Sequence, residues 1–424
     1  MLSLIGCNLP GLPGPTSIPS QPAVTQTSTT QAMVVPTTLI STPTSTVSSP
    51  KKLILWLPPQ FDPSAGSPAS NLLKKRLQDF SDTHSGIPIE VRIKAASGPG
   101  GLLDALATTS AAAPTALPDL IALSRNDLEA GAIKGLLFPF DNSSKTLSDK
   151  DWYSFAQQMS LVQGIMYGMP FAGDALVMVY RPSEVPVVPT NWTDLLHQNG
   201  ALAFPAADPQ SLMTLTLYVS GGGLVTDTQQ RPALNVDTLV NVLKVFESGV
   251  TNGFFPAWLT TYDTDGQAWQ AFKDKRATWV VTWVSQYLAE LPTDTSIQPF
   301  LPLVNGSSGM TVASGWVWAL GNSQPERQTL SNELAKWLAD SSFLSQWTST
   351  AGYLPPRPTS LANWSNQGLQ TVISQVANSA QLLPSSQLLV SLGPVLRDAT
   401  LLVLKLQNDP VQAAQAASER LKGP

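Results

Sequence analysis

The sequence predicts an α/β fold in which helices flank mainly parallel sheets. Three observations support this: short apolar segments typical of buried strands, helical periodicity between them, and turn residues where the period changes. Alternating strands and helices imply parallel pairing through right-handed crossovers. Ligands bind such sheets beyond the carboxyl ends of the strands. The loops at 58–62, 96–101 and 124–127 are therefore predicted to share one rim.

The first part of the folded chain shows this alternation. Leu53–Leu57 is an apolar run that predicts a buried strand, and Ser67 before Pro68 predicts the start of a helix. Residues 87–94 alternate apolar and polar side chains, which predicts a strand with one buried face. The next predicted elements are a helix at 102–112, a strand at 120–123 and a helix at 126–134.

The pattern continues to the C-terminus. Strands are predicted at 175–180, 278–284 and 312–320, and helices at 190–196, 236–247, 268–275 and 326–339. Beyond Asn363 we expect helices only, the last of them begun by Asp409. The apolar stretch 388–406 contains Pro394, Arg397 and Asp398, which argue against a membrane span.

The N-terminal segment differs in composition. Cys7, the only cysteine, ends a Leu-Ile-Gly-Cys sequence that resembles a bacterial lipobox, so we expect its acylation. Six residues are too few for a secretory signal, and we expect 1–7 to be its remnant. Residues 8–50 contain 8 prolines, 17 serines or threonines and no charge, which predicts a disordered tether. The alternative is a plain tail with an accidental cysteine.

Charge and motif content exclude several classes of function. Charged residues make up 12% of the chain and the net charge is −5, so a basic patch for nucleic acid is not expected. The two histidines, His84 and His197, are expected at the surface. Asp263 and Asp265 fit a solvated turn better than a calcium site or paired catalytic carboxylates. We therefore predict no metal, no cofactor and no enzymatic activity.

Twelve tryptophans are the strongest positive signal. Flat apolar rings beside uncharged hydrogen-bonding groups suit neutral, hydroxylated ligands such as sugars. Core packing is the competing interpretation for any one ring. Trp318 and Trp337 fit the core by periodicity, and Trp152 and Trp192 fit packing at helix starts.

Short motifs follow one another in a recognisable order. They are Cys7 with its tether, 53–58, 117–120, 135–137, 167–171, Tyr180, 271–277, 282–283, 313–316 and 351–357. This series, over residues 51–424, resembles family 1 extracellular solute-binding proteins, the lipoprotein receptors of ATP-driven sugar importers. The resemblance implies a two-lobed, type II periplasmic-binding-protein-like fold with the ligand cleft between its lobes. Lobe 1 would hold 51–172 and 314–357, lobe 2 would hold 176–309 and 360–424, and the hinges would lie near 171–175, 310–314 and 357–360.

The resemblance also implies a function. A monomer, anchored by lipid outside the cytoplasmic membrane, would bind a small neutral solute by closing its lobes and pass it to a membrane permease of the ABC type. One departure weakens the sugar assignment: receptors of this family often carry an aromatic residue where 388–392 is aliphatic here. A cell-surface carbohydrate-active enzyme and a sensor or scaffold without transport remain open as alternatives.

Ten ligand-binding residues are implied by position. Trp283 matches an aromatic residue that stacks on the ligand, and Trp316 follows Gly315 of a hinge strand. Arg357 has a structural alternative, a bond to a hinge carbonyl. The others are Gln60, Phe61, Ser124 and Arg125 on the rim of lobe 1, Phe171 and Asp174 at the first hinge, and Tyr353 in the Gly-Tyr-Leu-Pro turn.

Overall fold

A computed structural model describes residues 52–140, 150–303 and 309–422. Cys7 and the predicted tether at 8–50 lie outside these residues, so acylation and tethering stay predictions. The strands are β1 (Leu53–Leu57), β2 (Ile89–Ile93), β3 (Leu120–Ser124), β4 (Leu161–Val162), β5 (Ile165–Met166), β6 (Gly168–Tyr180), β7 (Leu202–Ala203), β8 (Trp279–Trp283), β9 (Ser296–Gln298), β10 (Thr311–Leu320) and β11 (Ala380–Leu382).

The helices flank these strands in the order that the sequence predicts. They are α1 (Pro68–Thr83), α2 (Leu102–Ala112), α3 (Arg125–Ile133), α4 (Ser154–Met159), α5 (Trp192–Leu196), α6 (Leu212–Ser220), α7 (Val236–Thr251), α8 (Asp265–Lys273), α9 (Val284–Glu290), α10 (Pro325–Leu338), α11 (Ser341–Ala351), α12 (Pro358–Ala362), α13 (Gln367–Ser379), α14 (Ser386–Leu404) and α15 (Pro410–Leu421). The predicted N-caps Ser67 and Asp409 each accept hydrogen bonds from the first turn of their helix.

One long strand connects the two sheets of the fold. The strand order is β2-β1-β3-β10-β6-β8-β7, and β1, β2 and β3 run parallel as predicted. The first half of β6 pairs with β10, and its second half pairs with β8 and β9. One strand therefore belongs to both sheets. Because β6 runs antiparallel to its partners, the second sheet is mixed rather than mainly parallel, with β7–β8 its parallel pair.

Most predicted elements are confirmed, and three differ in detail. The predicted buried face of β2 is wrong: the strand is half-buried along most of its length, because it lies at the sheet edge. β6 begins at Gly168 rather than at residue 175, since its first half is completed by pairing with β10. The tail is not helical throughout, because β11 forms a short parallel pair with the start of β10.

A buried ion pair fixes the first sheet to its helices. The side chain of Asp119 is fully buried and accepts a hydrogen bond from the backbone N–H of Ile54 at 2.7 Å. Arg327 on α10 donates through Nε to the same carboxylate at 2.6 Å. The pair joins β1, the residue before β3 and α10, so loss of Arg327 would leave the buried carboxylate of Asp119 uncompensated.

The apolar helix α14 packs inside the fold. It is the one helix of the described residues that is long and apolar enough to cross a membrane, and half of that stretch is buried. Leu389, Leu392 and Leu396 are within 2% of full burial. The helix packs against α7 and α15. These contacts explain its composition through core packing.

Three of the four tryptophans with a predicted packing environment are buried as expected. Trp318 is buried, and Trp152 and Trp192 are buried at the starts of helical segments. Trp337 differs, because its ring is half-buried beneath the guanidinium of Arg76, which lies 3.8 Å from the ring centroid.

Candidate ligand cleft

The rim predicted from the topology is built around Trp316. In the register of β10, Trp316 pairs with Ser124 at the end of β3 and with Ala172 on β6. Phe61 lies in the turn after β1, and the centroid of its ring is 5.3 Å from the centroid of the Trp316 ring. The loops at 58–62 and 124–127 therefore meet here, and the parallel pairing of β2 with β1 directs the loop after β2 to the same edge.

Six aromatic side chains, Trp316 among them, form a continuous cluster, which we call the aromatic cluster. Phe61 lies at its centre, 5.2 Å from Phe171 and 5.6 Å from Tyr353. The buried members pack against the rings of Trp316 and Tyr353, which are half-buried. The members are Phe61, Phe171, Trp316, Trp318, Trp347 and Tyr353.

Asp174 lies where β6 passes from one sheet to the other. Its carboxylate accepts hydrogen bonds from the backbone N–H of Ser285, at 3.0 Å, and from the Ser285 hydroxyl. The pKa of Asp174 is raised to about 7, mainly by burial and to a smaller extent by the charge of Asp265. The hydrogen bonds from Ser285 act in the opposite direction, because they favour the ionised form. The carboxyl group at the point where β6 passes between the sheets is therefore close to half-ionised at neutral pH.

Trp283 is the last residue of β8, the strand that pairs with the second half of β6. Its ring is half-buried, and its Nε1–H donates to Oδ2 of Asp265 at 3.1 Å. Burial and the nearby charge of Asp208 raise the pKa of Asp265 to about 6. The solvated-turn prediction is therefore wrong for Asp265, which is half-buried, and holds for the exposed Asp263. No local sequence pattern reveals the hydrogen bond between Asp265 and Trp283, because it joins α8 to the end of a later strand.

Electrostatic coupling connects Asp174 with Tyr353 and with Asp265, and so places these residues in one row. Burial, and to a smaller extent the negative charge of Asp174, raises the pKa of the Tyr353 hydroxyl. Asp174 is in turn coupled to Asp265, and Asp265 holds Trp283. We call Tyr353, Asp174, Asp265 and Trp283 the acid–aromatic row. It combines rings with carboxylate acceptors, which suits a ligand that has both an apolar face and hydroxyl donors.

Other predicted site residues have different surroundings. Arg125 donates to the carbonyl of Leu161 at 3.2 Å and lies 3.6 Å from Glu129. Phe171 is 2% exposed and stacks on Trp318 at 4.1 Å, so its ring serves packing.

The remaining predicted residues lie at the edge of the cleft or beyond it. Arg357 lies 3.9 Å above the ring of Trp152 and 3.3 Å from a carboxylate oxygen of Asp151. The structural alternative for Arg357, a bond to a hinge carbonyl, stays a prediction. Gln60 is exposed beside Phe61, and Ser124 caps α3.

Two further features lie apart from the row. His197 is exposed at the end of α5, and His84 stacks on Phe80 at 3.8 Å. A cavity of about 1160 Å³ beside α4, β9 and β11 is lined largely by uncharged side chains, among them Gln158 and Gln298. Among the residues described, no group of three or more metal-binding side chains occurs.

Comparison with known protein families identifies the family of this chain. The family of bacterial extracellular solute-binding proteins matches residues 75–371. The chain belongs to this family. No curated protein matches this solute-binding protein in a sequence comparison.

Solved structures confirm the two-lobed fold class predicted for this solute-binding protein. Maltose-bound MalE3 of T. maritima is 18% identical with a TM-score of 0.65, and covers 88% of this chain and 99% of its own. The sugar-binding protein MalE of Xanthomonas citri is 16% identical with a TM-score of 0.71, covering 87% and 96%. The maltose-binding MalE of Listeria monocytogenes is 13% identical with a TM-score of 0.70, covering 88% and 97%.

Proposed function

We propose that this solute-binding protein is the receptor of an ABC importer and that it captures a neutral carbohydrate by closing two lobes around it. The acid–aromatic row is the observation on which the proposal depends. The rings of Trp283 and Tyr353 would offer stacking faces, and the carboxyl groups of Asp174 and Asp265 would accept hydrogen bonds from hydroxyl groups of the solute. The sugar-binding proteins that share the fold support the same ligand class.

Closure follows from where these groups are attached. Trp316 and Tyr353 would belong to the first lobe, Trp283 and Asp265 to the second, and Asp174 to the hinge strand β6. A ligand that contacts both sets has a higher affinity for the closed arrangement and shifts the population towards it. The membrane permease would then recognise the closed form. The proposed lobes keep the boundaries 51–172 with 314–357 and 176–309 with 360–424.

The contacts above divide the proposed site residues into two groups. Trp283, Trp316, Tyr353 and Asp174 would contact the solute, with Gln60 and Ser124 at the rim. Phe61 and Phe171 would support the rings from behind. Arg125 and Arg357 would hold neighbouring segments through the ion pairs described above.

Anchorage is a further part of the proposal. Family membership supports an extracellular location. The lipobox-like sequence at Cys7 supports acylation, and the uncharged segment 8–50 supports a tether that holds a monomeric receptor at the membrane. Mass spectrometry of the protein from its native membrane would detect the lipid on Cys7, and an unmodified cysteine there would contradict the anchor.

The binding experiment is calorimetric titration with a panel of sugars, beginning with maltotriose. Trp283→Ala and Trp316→Ala each remove a stacking face, and we expect affinity to fall about 10-fold or more, on the order of 1.5 kcal/mol. Trp337→Phe is the matched control, because that ring packs on Arg76 away from the row. Heat with anions or peptides and none with sugars would reject the carbohydrate. Unchanged affinity in both alanine variants would place the ligand elsewhere, for example in the cavity beside α4.

One observation favours a second candidate, a carbohydrate-active enzyme. Two coupled carboxyl groups with raised pKa values, Asp174 and Asp265, are a feature of glycosidase sites as well. Incubation with maltodextrins and measurement of new reducing ends separates the two functions. We expect binding without turnover, whereas turnover that disappears in Asp174→Asn would establish the enzyme.

A further inference from the structure

We propose that Asp265 is a positioning residue, which fixes the orientation of the Trp283 ring for stacking on the solute. The inference deepens the proposed function and rests on it for the ligand, but not for the geometry. Asp265 lies in a stretch that sequence reasoning assigns to a solvated turn, and the structure gives it a partner of defined geometry.

The hydrogen bond restrains the ring because an indole has a single donor. Nε1–H of Trp283 points to Oδ2 of Asp265 at 3.1 Å, in a partly buried environment. The backbone of β8 fixes the start of the side chain, and the bond to Asp265 fixes its far edge. Only two side-chain torsions place Nε1 relative to the fixed backbone, so holding Nε1 at Asp265 fixes both torsions and with them the direction of the ring face.

The carboxylate is itself held in place by the start of α8. Asp265 is the first residue of this helix, whose N-terminus is closed by a capping box between Thr264 and Gln267. The Gln267 side chain accepts hydrogen bonds from the backbone N–H groups of Asp263, at 2.8 Å, and Thr264, at 3.1 Å. The acceptor for the Trp283 ring therefore stands on a rigid turn.

The strand end that holds Trp283 is fixed from the hinge as well. Ser285, two residues further on, donates its backbone N–H and its hydroxyl to Asp174 on β6. Two carboxyl groups on different elements thus hold the ring of Trp283 and the backbone that follows it. The face of the ring is thereby oriented relative to the hinge, where a solute would meet both lobes.

Charge makes this bond dependent on pH. The acids around Asp265 are Asp208, from the loop before α6, and Asp174 on β6, while Asp263 on the same turn is exposed. With a pKa of about 6, Asp265 is largely protonated at pH 5 and largely ionised at pH 7. A hydrogen bond to an ionised acceptor is the stronger one, so the ring is held more firmly as the pH rises through 6.

The first test needs no ligand. In a nitrogen–proton correlation spectrum of the full chain, Trp283→Phe assigns the Trp283 indole signal by its disappearance. We expect this signal to move downfield between pH 5 and 7, to lose that shift in Asp265→Ala, and to stay constant with pH in Asp265→Asn, which keeps an acceptor without a charge. The indole of Trp337 is the internal control, because it donates to the carbonyl of Arg76 at 3.0 Å. A Trp283 signal that ignores both substitutions would overturn the inference.

The second test uses maltotriose as the probe. We expect Asp265→Ala to bind it about 10-fold more weakly and Asp265→Asn to recover affinity to within about threefold. If the unaltered protein binds no sugar, the proposed function fails, while the indole signal still decides the role of Asp265. If Asp265→Ala binds as tightly as the unaltered protein, the positioning role is refuted. Thermal unfolding of both variants identifies any general loss of structure, and a folded Asp265→Asn keeps the test decisive.

Discussion

Replacing Asp174 with asparagine should stabilise the protein at alkaline pH while weakening solute binding. The carboxyl group at the hinge is hydrogen-bonded to Ser285, yet its pKa is raised from 3.8 to about 7, mainly by burial. Asparagine keeps an acceptor for the backbone N–H of Ser285 and offers a donor to its hydroxyl. The substitution therefore removes the cost of the buried charge and retains most of the local bonding.

The size of the effect follows from the shift in pKa. A shift of one pKa unit corresponds to about 1.36 kcal/mol, so the shift from 3.8 to about 7 sets an upper limit of roughly 4 kcal/mol. Because Asp174 keeps partial exposure to solvent, screening reduces this to about 2 kcal/mol. The native state binds more protons than the unfolded state between about pH 4 and pH 7. The contribution of Asp174 to the free energy of unfolding therefore falls as the pH rises through that window.

Urea unfolding at pH 5 and pH 8 measures this directly. We expect Asp174→Asn to exceed the unaltered protein by about 2 kcal/mol at pH 8 and by much less at pH 5. Asp265 titrates in both proteins, and its coupling to Asp174 forms part of the measured difference. Asp263→Asn is the control, because that side chain is exposed. An Asp174→Asn variant with the same pH dependence as the unaltered protein would refute the assignment of a buried, destabilising charge.

Three further substitutions test other parts of the structure. Gly315→Ala would place a Cβ atom 2.3 Å from the carbonyl oxygen of Ala172, and we expect a loss of about 2–3 kcal/mol in urea unfolding; a loss below about 0.5 kcal/mol would show that the hinge strands yield. Asp119→Ala leaves the partly exposed guanidinium of Arg327 without its acid and the backbone N–H of Ile54 without its acceptor, and should cost about 3 kcal/mol; a neutral result would contradict the ion pair. Arg357→Ala loses the stacking on Trp152 and should lower stability by about 1 kcal/mol with an unchanged dissociation constant for sugar, whereas a 10-fold weaker constant would make Arg357 a ligand contact.

The sequence allowed most of the framework to be predicted, because strand and helix periods are local properties. Leu53–Leu57 and the capped helix after Ser67 lie where their patterns indicate. β11 escaped prediction because three residues carry too little periodicity, and its pairing with β10 depends on distant contacts. Asp265 escaped for a similar reason: its partner, Trp283, is brought to it by the packing of α8 against β8.

The resemblance identified a set of site residues that the structure divides between two kinds of environment. Trp316 and Tyr353 offer half-buried rings beside Phe61, whereas Phe171 lies in the core. Position in a motif shows which loop a residue occupies, but the direction of a side chain depends on strand register and on neighbours from elsewhere. The exposure of each ring therefore became known only from the packed structure.

The shared strand β6 has a consequence for how the chain reaches its native state. The first sheet is complete only when β10, from late in the chain, has inserted between β3 and β6, as the pairing of Trp316 with Ser124 shows. A nascent chain still lacking its last third has unsatisfied strand edges and cannot close that sheet. Such non-local pairing is slow, so the protein should spend an extended period as an incomplete intermediate that holdase chaperones can recognise.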